Sequence, residues 1–224
     1  MVITVFSPSG GVGKTTIALA LSHVLSLHGS TCLLDLDFTP GDIAVLTNIM
    51  LTPLTDAVNN NPLLAIQLPD KASFNVLTGG YPDTGETVNY NAVARLIDDL
   101  KMQYQFVVID TQSHLTANVV AALLAADTIV MPVVDEIAAV AKLAGMVEYL
   151  ENNKYADVHK AVIIVNKAKG KDKYVSAAKL SVASVCQIPF LSNIHSYTDA
   201  RLRNAMSPLI DKWIQKPLKR RWGK

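Results

Sequence analysis

Val2-Ile3-Thr4-Val5-Phe6, followed by Ser7-Pro8-Ser9-Gly10-Gly11-Val12-Gly13-Lys14-Thr15-Thr16, is the passage on which the reading of this 224-residue chain turns. The first five residues are a short apolar run, the signature of a buried strand. A helical pattern over Lys14–Leu27 follows the glycines. Strand, glycine-rich turn and helix start form the context in which backbone N–H groups close around phosphates. The glycines permit the turn, and the helix N-terminus adds partial positive charge. Gly10, Gly11, Val12, Gly13, Lys14, Thr15 and Thr16 are therefore the candidate phosphate-binding residues. Lys14 is expected to reach the β- and γ-phosphates, and the Thr15 hydroxyl to bind Mg²⁺. The competing reading is a glycine-rich turn with a chance Lys-Thr.

Working outward, strands are predicted at Val2–Phe6, Thr31–Leu36, Asn75–Leu77, Phe106–Ile109, Thr128–Pro132 and Ala161–Val165, with a weaker one at Cys186–Leu191. Helical patterns fall at Asn91–Lys101, Leu115–Ala125, Glu136–Glu151, Val175–Ser184, Thr198–Ala205 and Pro208–Ile214. Strands alternating with helices of this length predict βαβ units. The expected fold is a single doubly wound α/β domain, its sheet mostly parallel and covered by helices on both faces. Residues 38–73 and 78–88 read as less regular, loop-like stretches. The expected division is a domain over 1–206 and a C-terminal helix with a basic tail over 207–224.

Half of the residues are hydrophobic, 17% are charged and 6% are aromatic. That excludes a disordered chain and suits parallel strands buried on both faces. The net charge is +1, yet residues 1–100 hold three Lys+Arg against nine Asp+Glu, while residues 101–224 hold seventeen against ten. The asymmetry points to a polyanionic or membrane contact near the C-terminus, or to a solubilising tail. Cys32 and Cys186 carry no pairing signature, and the five histidines show no ligand spacing. The longest apolar stretch, Val119–Val134, is broken by Asp127 and Pro132 and does not read as a membrane span. No signal peptide is read at the N-terminus. The expected location is cytoplasmic, extending to the inner face of the membrane if the tail docks there.

The general pattern G-x-x-x-x-G-K-[ST] is not met, because its first glycine position holds Pro8. The loop instead resembles the deviant Walker A loop of the MinD/ParA superfamily, K-G-G-V-G-K-T-T. The resemblance continues in Leu33-Leu34-Asp35-Leu36-Asp37-Phe38-Thr39-Pro40-Gly41-Asp42, similar to that family's D-x-D segment, and in Val107-Val108-Ile109-Asp110, similar to its Walker B strand. Ala126-Asp127, Val165-Asn166-Lys167 and Ile188-Pro189-Phe190 extend it over most of residues 1–206. The segments 35–42 and 91–110 look most like the pilus-assembly branch called CpaE or TadZ.

The resemblance implies ATP and Mg²⁺ as ligands and an ATPase that dimerises when ATP is bound. It implies Lys14 and Asp37 as catalytic residues, the latter orienting the attacking water. Thr15, Asp110 and Asp35 are implied around the metal, Asn166 at the adenine and Pro189 beside the base. Taken alone, Asp35 and Asp37 also read as solvated strand-end carboxylates, and Asn166 as a turn cap. One departure matters. Ser9 stands where most members have a signature lysine that crosses the dimer interface to the partner's phosphates. Losing that cation is expected to leave ATP binding intact and hydrolysis weak. Gln112 also stands where many relatives have Pro.

Three functions follow as expectations: a dimerisation switch that positions or assembles a machine such as a pilus or secretion apparatus through a protein partner, a ParA-like DNA-segregation ATPase, and a nucleotide-binding scaffold with negligible turnover. In the second, Lys169, Lys171, Lys173 and Lys179 would hold DNA nonspecifically. In residues 209–222, Leu209, Ile210, Trp213, Ile214, Leu218 and Trp222 fall at helical spacing with Lys212, Lys216 and Lys219 mainly opposite. Such a segment either docks on a membrane surface or packs as a last helix on the domain.

Overall fold

The computed structural model describes residues 1–38, 42–52, 55, 61–194 and 196–214. The strands are β1 (Val2–Val5), β2 (Thr31–Leu36), β3 (Asn75–Leu77), β4 (Phe106–Thr111), β5 (Thr128–Val133), β6 (Ala161–Ala168) and β7 (Ser184–Pro189). The helices are α1 (Lys14–Ser26), α2 (Asp42–Thr47), α3 (Pro62–Ala65), α4 (Pro82–Thr87), α5 (Tyr90–Gln103), α6 (Ala117–Ala125), α7 (Ile137–Asn152), α8 (Lys173–Ala178) and α9 (Ala200–Ile214). The seven strands form one sheet in the order β3-β2-β4-β1-β5-β6-β7, and each neighbouring pair is parallel. The doubly wound α/β reading holds, with a wholly parallel sheet in place of a mostly parallel one.

Alternation along the strands divides the core into two faces. Ile3, Val5, Leu33, Val108, Val130 and Ile164 pack with α1 and α9. Val2, Leu34, Leu36, Val107 and Ile109 pack on the opposite face with α5 and α6, and Ile129, Met131 and Ile163 pack there with α7. Burial on both sides explains why β1, β2, β4 and β5 are continuous apolar runs. β7 lies at the sheet edge and leaves Val185 exposed, hence its weaker signal. Asp127 orders the centre of the sheet, its Oδ2 accepting the Val2 amide at 2.8 Å.

Several boundaries differ from expectation for identifiable reasons. β4 continues through Asp110 and Thr111, where the Thr111 hydroxyl donates to the Val5 carbonyl at 2.8 Å. The helix expected over Val175–Ser184 is the shorter α8. The Asp135 carboxylate fixes its start by accepting the amides of Lys173, Tyr174 and Val175, and Lys179, in left-handed geometry at φ 46°, ends it. The loop-like stretches contain α2, α3 and α4. The two helices expected over Thr198–Ala205 and Pro208–Ile214 are one helix with Pro208 inside it. A proline there removes one backbone hydrogen bond. The stripe Leu202, Met206, Leu209 and Ile210, buried against the α1 face, outweighs that loss.

α9 therefore crosses the boundary expected at 206, and Leu209 and Ile210 of the 207–224 segment join the core. Leu209 and Ile210 are unavailable to a membrane, and Trp213 is partly buried against the same cluster. Residues 215–222 of the expected membrane-docking segment lie outside the described residues. Among the described residues no helix is long and apolar enough to cross a membrane. Deleting a buried aliphatic side chain costs about 2–5 kcal/mol. Ile210→Ala should lose a value in that range in urea unfolding, whereas Ile214→Ala, at an exposed position, should lose less than about 1 kcal/mol.

Candidate functional site

The loop after β1 turns at the carboxyl ends of the central strands, where ligands bind in open parallel sheets. Gly13 adopts φ 94° as the N-cap of α1, and no side chain caps that helix. The first turn of α1 carries no acidic residue. Its opening amides thus lack side-chain acceptors and keep their partial positive charge for an incoming anion. Gly13 is also demanded by space, because a Cβ there would lie 2.5 Å from Asn166 Nδ2.

The loop borders a cavity of about 550 Å³. One wall is polar and contains Gly10, Gly11, Gly13, Lys14, Thr15, Thr16, Asp37 and Asp42. The other is mainly apolar, with Ile188, Pro189, Phe190, Leu191 and Ile194. A polar floor beside an apolar slot matches a molecule with a charged tail and a flat heterocycle. Most of the residues singled out in the sequence therefore meet in one place. Val12 does not line the cavity; its side chain is buried and its carbonyl accepts from Asn166 Nδ2 at 2.8 Å. Asn166 also accepts the Lys167 amide on Oδ1 at 2.9 Å. Asn166 thus lines the cavity with its side-chain amide engaged with backbone on both ends.

Lys14 Nζ donates to Ser113 Oγ at 2.6 Å and to the Ser9 carbonyl at 3.4 Å. Burial holds this lysine below its ordinary pKa, opposed by the carboxylates of Asp110 and Asp37. Ser113 escaped the sequence reading. The available signal was its position three residues beyond Asp110, at the end of a strand entering the site.

Asp35 and Asp110 are partners in the β2–β4 register and, by strand alternation, face the α1 side. Their roles differ. Neither lines the cavity; Asp35 is almost fully buried and accepts the Asp37 amide on Oδ1 at 2.9 Å as well as a backbone hydrogen bond from Gly79. Burial, reinforced by Asp110, raises its pKa well above the carboxylate range. Its hydrogen bonds make it a brace under the Asp37 turn. Asp110 is equally buried, receives a hydrogen bond from the Thr15 side chain, and leaves Oδ1 without a partner. Burial pushes its pKa up to about 7.

A buried, unsatisfied carboxylate oxygen is costly. Asp110 Oδ1 beside the Thr15 hydroxyl is an all-oxygen donor set of the kind that Mg²⁺ takes, with waters and phosphate oxygens completing the shell. The residues fit that ion. Among the described residues no group of three His, Cys, Asp or Glu is arranged to hold a metal, so a protein-only cage is absent there.

Fold and site together define an α/β nucleotide-binding domain. The description "CobQ/CobB/MinD/ParA nucleotide binding domain" matches residues 3–204, and the chain belongs to that family. The septum site-determining protein MinD of Thermotoga maritima is 27% identical over 176 residues, covering 75% of this chain and 64% of that protein. The chain thus spans less than two thirds of the length of the curated relative it matches. The structure of MinD from Pyrococcus horikoshii complexed with Mg-ADP has a TM-score of 0.78 at 19% identity, covering 96% of each chain. A plasmid partition protein from Borrelia burgdorferi bound to AMPPNP has a TM-score of 0.71 at 19% identity, covering 94% of this chain and 98% of that one. At these identities the structural likeness establishes the fold.

The raised Asp110 pKa has a direct consequence for the metal-free protein. A carboxyl group that holds its proton more tightly when folded adds stability below its unfolded pKa, and that stability is lost as pH rises through about 7. In EDTA, Asp110→Asn should flatten the decline in unfolding free energy between pH 5 and 8. It should exceed the parent at pH 8 by about 1–3 kcal/mol, the scale of an uncompensated buried polar group.

Proposed function

We propose that this chain is an ATP-binding switch of the MinD/ParA type with slow hydrolysis, which assembles or positions a larger machine, a pilus or secretion apparatus being the class we favour. The observation that carries the reading is the uncapped start of α1, with Lys14 beside it and Asp110 beneath it. The triphosphate rests on the amides of residues 10–16, and Lys14 leaves Ser113 for the β- and γ-phosphates. Thr15 and Asp110 would hold Mg²⁺, which would offset phosphate charge. Pro189 and Phe190 border the adenine. Asp37 orients the water whose oxygen bonds to the γ-phosphorus as the bond to the bridging oxygen breaks, leaving ADP and inorganic phosphate.

Positioning and charge stabilisation dominate phosphoryl transfer. Ser9 contributes no charge to it, and its carbonyl already accepts from Lys14. The switch reading gains support from α2, which starts at the cavity-lining Asp42 and carries the exposed side chains of Val45 and Leu46. Met50, Leu64 and Leu68 are exposed as well. We assign these exposed apolar side chains to ATP-dependent contact with a second copy and with a protein partner. The expected location is cytoplasmic; membrane docking would fall to residues 215–224.

The DNA-segregation reading rests on Lys169, Lys171 and Lys173, which project from the segment between β6 and the start of α8. It requires DNA binding that falls steeply with salt. The scaffold reading requires ATP binding with no turnover.

Single-turnover hydrolysis with Mg·ATP, together with light scattering of the nucleotide-free, ADP and ATP forms, separates these readings. The switch predicts a measurable slow burst and a doubling of mass in ATP alone. Restoring the missing cation through Ser9→Lys should raise the hydrolysis rate at least about tenfold. An unaltered rate and an unaltered ATP-dependent mass would show that Ser9 is not what limits this site.

A further inference from the structure

The last third of β6 departs from its neighbour. The β6–β7 register shifts between Val165 and Ala168, and Lys167 sits at φ 57° in the left-handed region. A non-glycine residue in that region is uncommon. The shift sends two successive side chains to the same target. Asn166 Nδ2 donates to the Val12 carbonyl at 2.8 Å, and Lys167 Nζ donates to the Gly11 carbonyl at 3.1 Å. These are consecutive carbonyls at the crown of the phosphate-binding loop, more than 150 residues away in sequence.

We infer that Asn166 and Lys167 form a clamp that holds the loop open for phosphate before any nucleotide arrives, with Lys167 a positioning residue. A carbonyl and the N–H of the next residue lie in one rigid plane, so fixing the Gly11 and Val12 carbonyls fixes the N–H groups of Val12 and Gly13. A loop rich in glycine otherwise loses much backbone entropy on ordering. Preorganisation of this kind improves binding by removing that cost in advance. Gly13 has the space that Asn166 requires, because a side chain at 13 would strike Nδ2. The arrangement also explains a charge. Among the cavity-lining residues described, the lysines are Lys14 and Lys167, and the second belongs to the same chain that binds the phosphates. The shift in β6 thus places a cation at the loop rim in a protein whose loop has Ser9 in place of lysine.

The proposal rests on the nucleotide-binding reading for its consequence but not for its structural test. Lys167 is exposed, so Lys167→Met removes the charged donor without opening the core. Hydrogen exchange of the Gly10–Lys14 amides is measured without nucleotide, and Mg·ATP affinity is measured by calorimetry on the same samples. Lys167→Met should accelerate loop exchange at least about fivefold while α5 and α7 exchange at parental rates. Affinity should fall about five- to tenfold, in line with losing one charge-assisted hydrogen bond at a partly solvated site. Lys167→Arg keeps a charged donor and should restore most of both. Unchanged loop exchange overturns the clamp whatever happens to affinity, since Lys167 would then act only as a charge. Faster exchange with parental affinity overturns its role in binding. If the parent itself binds no Mg·ATP, the nucleotide reading fails, and the exchange measurement still decides whether the clamp exists.

Discussion

A helix that begins without an acceptor for its first amides is electrostatically incomplete, and the rest of this structure is arranged around that condition. α1 starts at a left-handed glycine with neither a side-chain cap nor an acid in its first turn. Two other helix starts are closed by side chains. Asn89 caps α5 through the Ala92 amide, and Asp135 takes three amides at α8. The open end of α1 faces a cavity whose opposite wall is apolar. Family membership and the geometry of this one turn agree on what belongs there.

The carboxylates beneath the loop show how burial assigns roles to similar residues. Asp35 and Asp110 share a register position and almost complete burial. Asp35 has backbone donors and holds the turn that carries Asp37. Asp110 keeps one oxygen without a partner. The first is a brace, and the second is the carboxylate that we propose for the cation. The same economy appears at the strand end of β6, where Asn166 and Lys167 serve the loop backbone.

The sequence was most legible where one physical effect dominates. β2 and β3 were bounded correctly because runs buried on both faces are uniformly apolar and end in polar or glycine residues. The loop and its helix were legible because glycine density at a strand-to-helix junction has few other uses. Legibility failed where tertiary contacts override local pattern. α9 continues through Pro208 because α1 offers its apolar stripe a surface, a fact absent from the local sequence. α8 is short because a carboxylate from the β5–α7 connection sets its start and a left-handed lysine its end. In the site, Asp37 and Pro189 were visible by motif. Ser113, the working partnership of Asn166 with Lys167, and the division of labour between Asp35 and Asp110 depend on which chain segments become neighbours.

The central claim is that the start of α1, with Lys14 as counter-charge, holds the triphosphate of a magnesium-bound nucleotide. Isothermal calorimetry of the folded protein against Mg·ATP, in parallel with Lys14→Ala, tests it most directly. The account predicts saturable binding at one site per chain, weakened at least about a hundredfold by the substitution, the scale of losing a desolvated charge contact. No heat of binding in the parent, or equal affinity in both proteins, would contradict it.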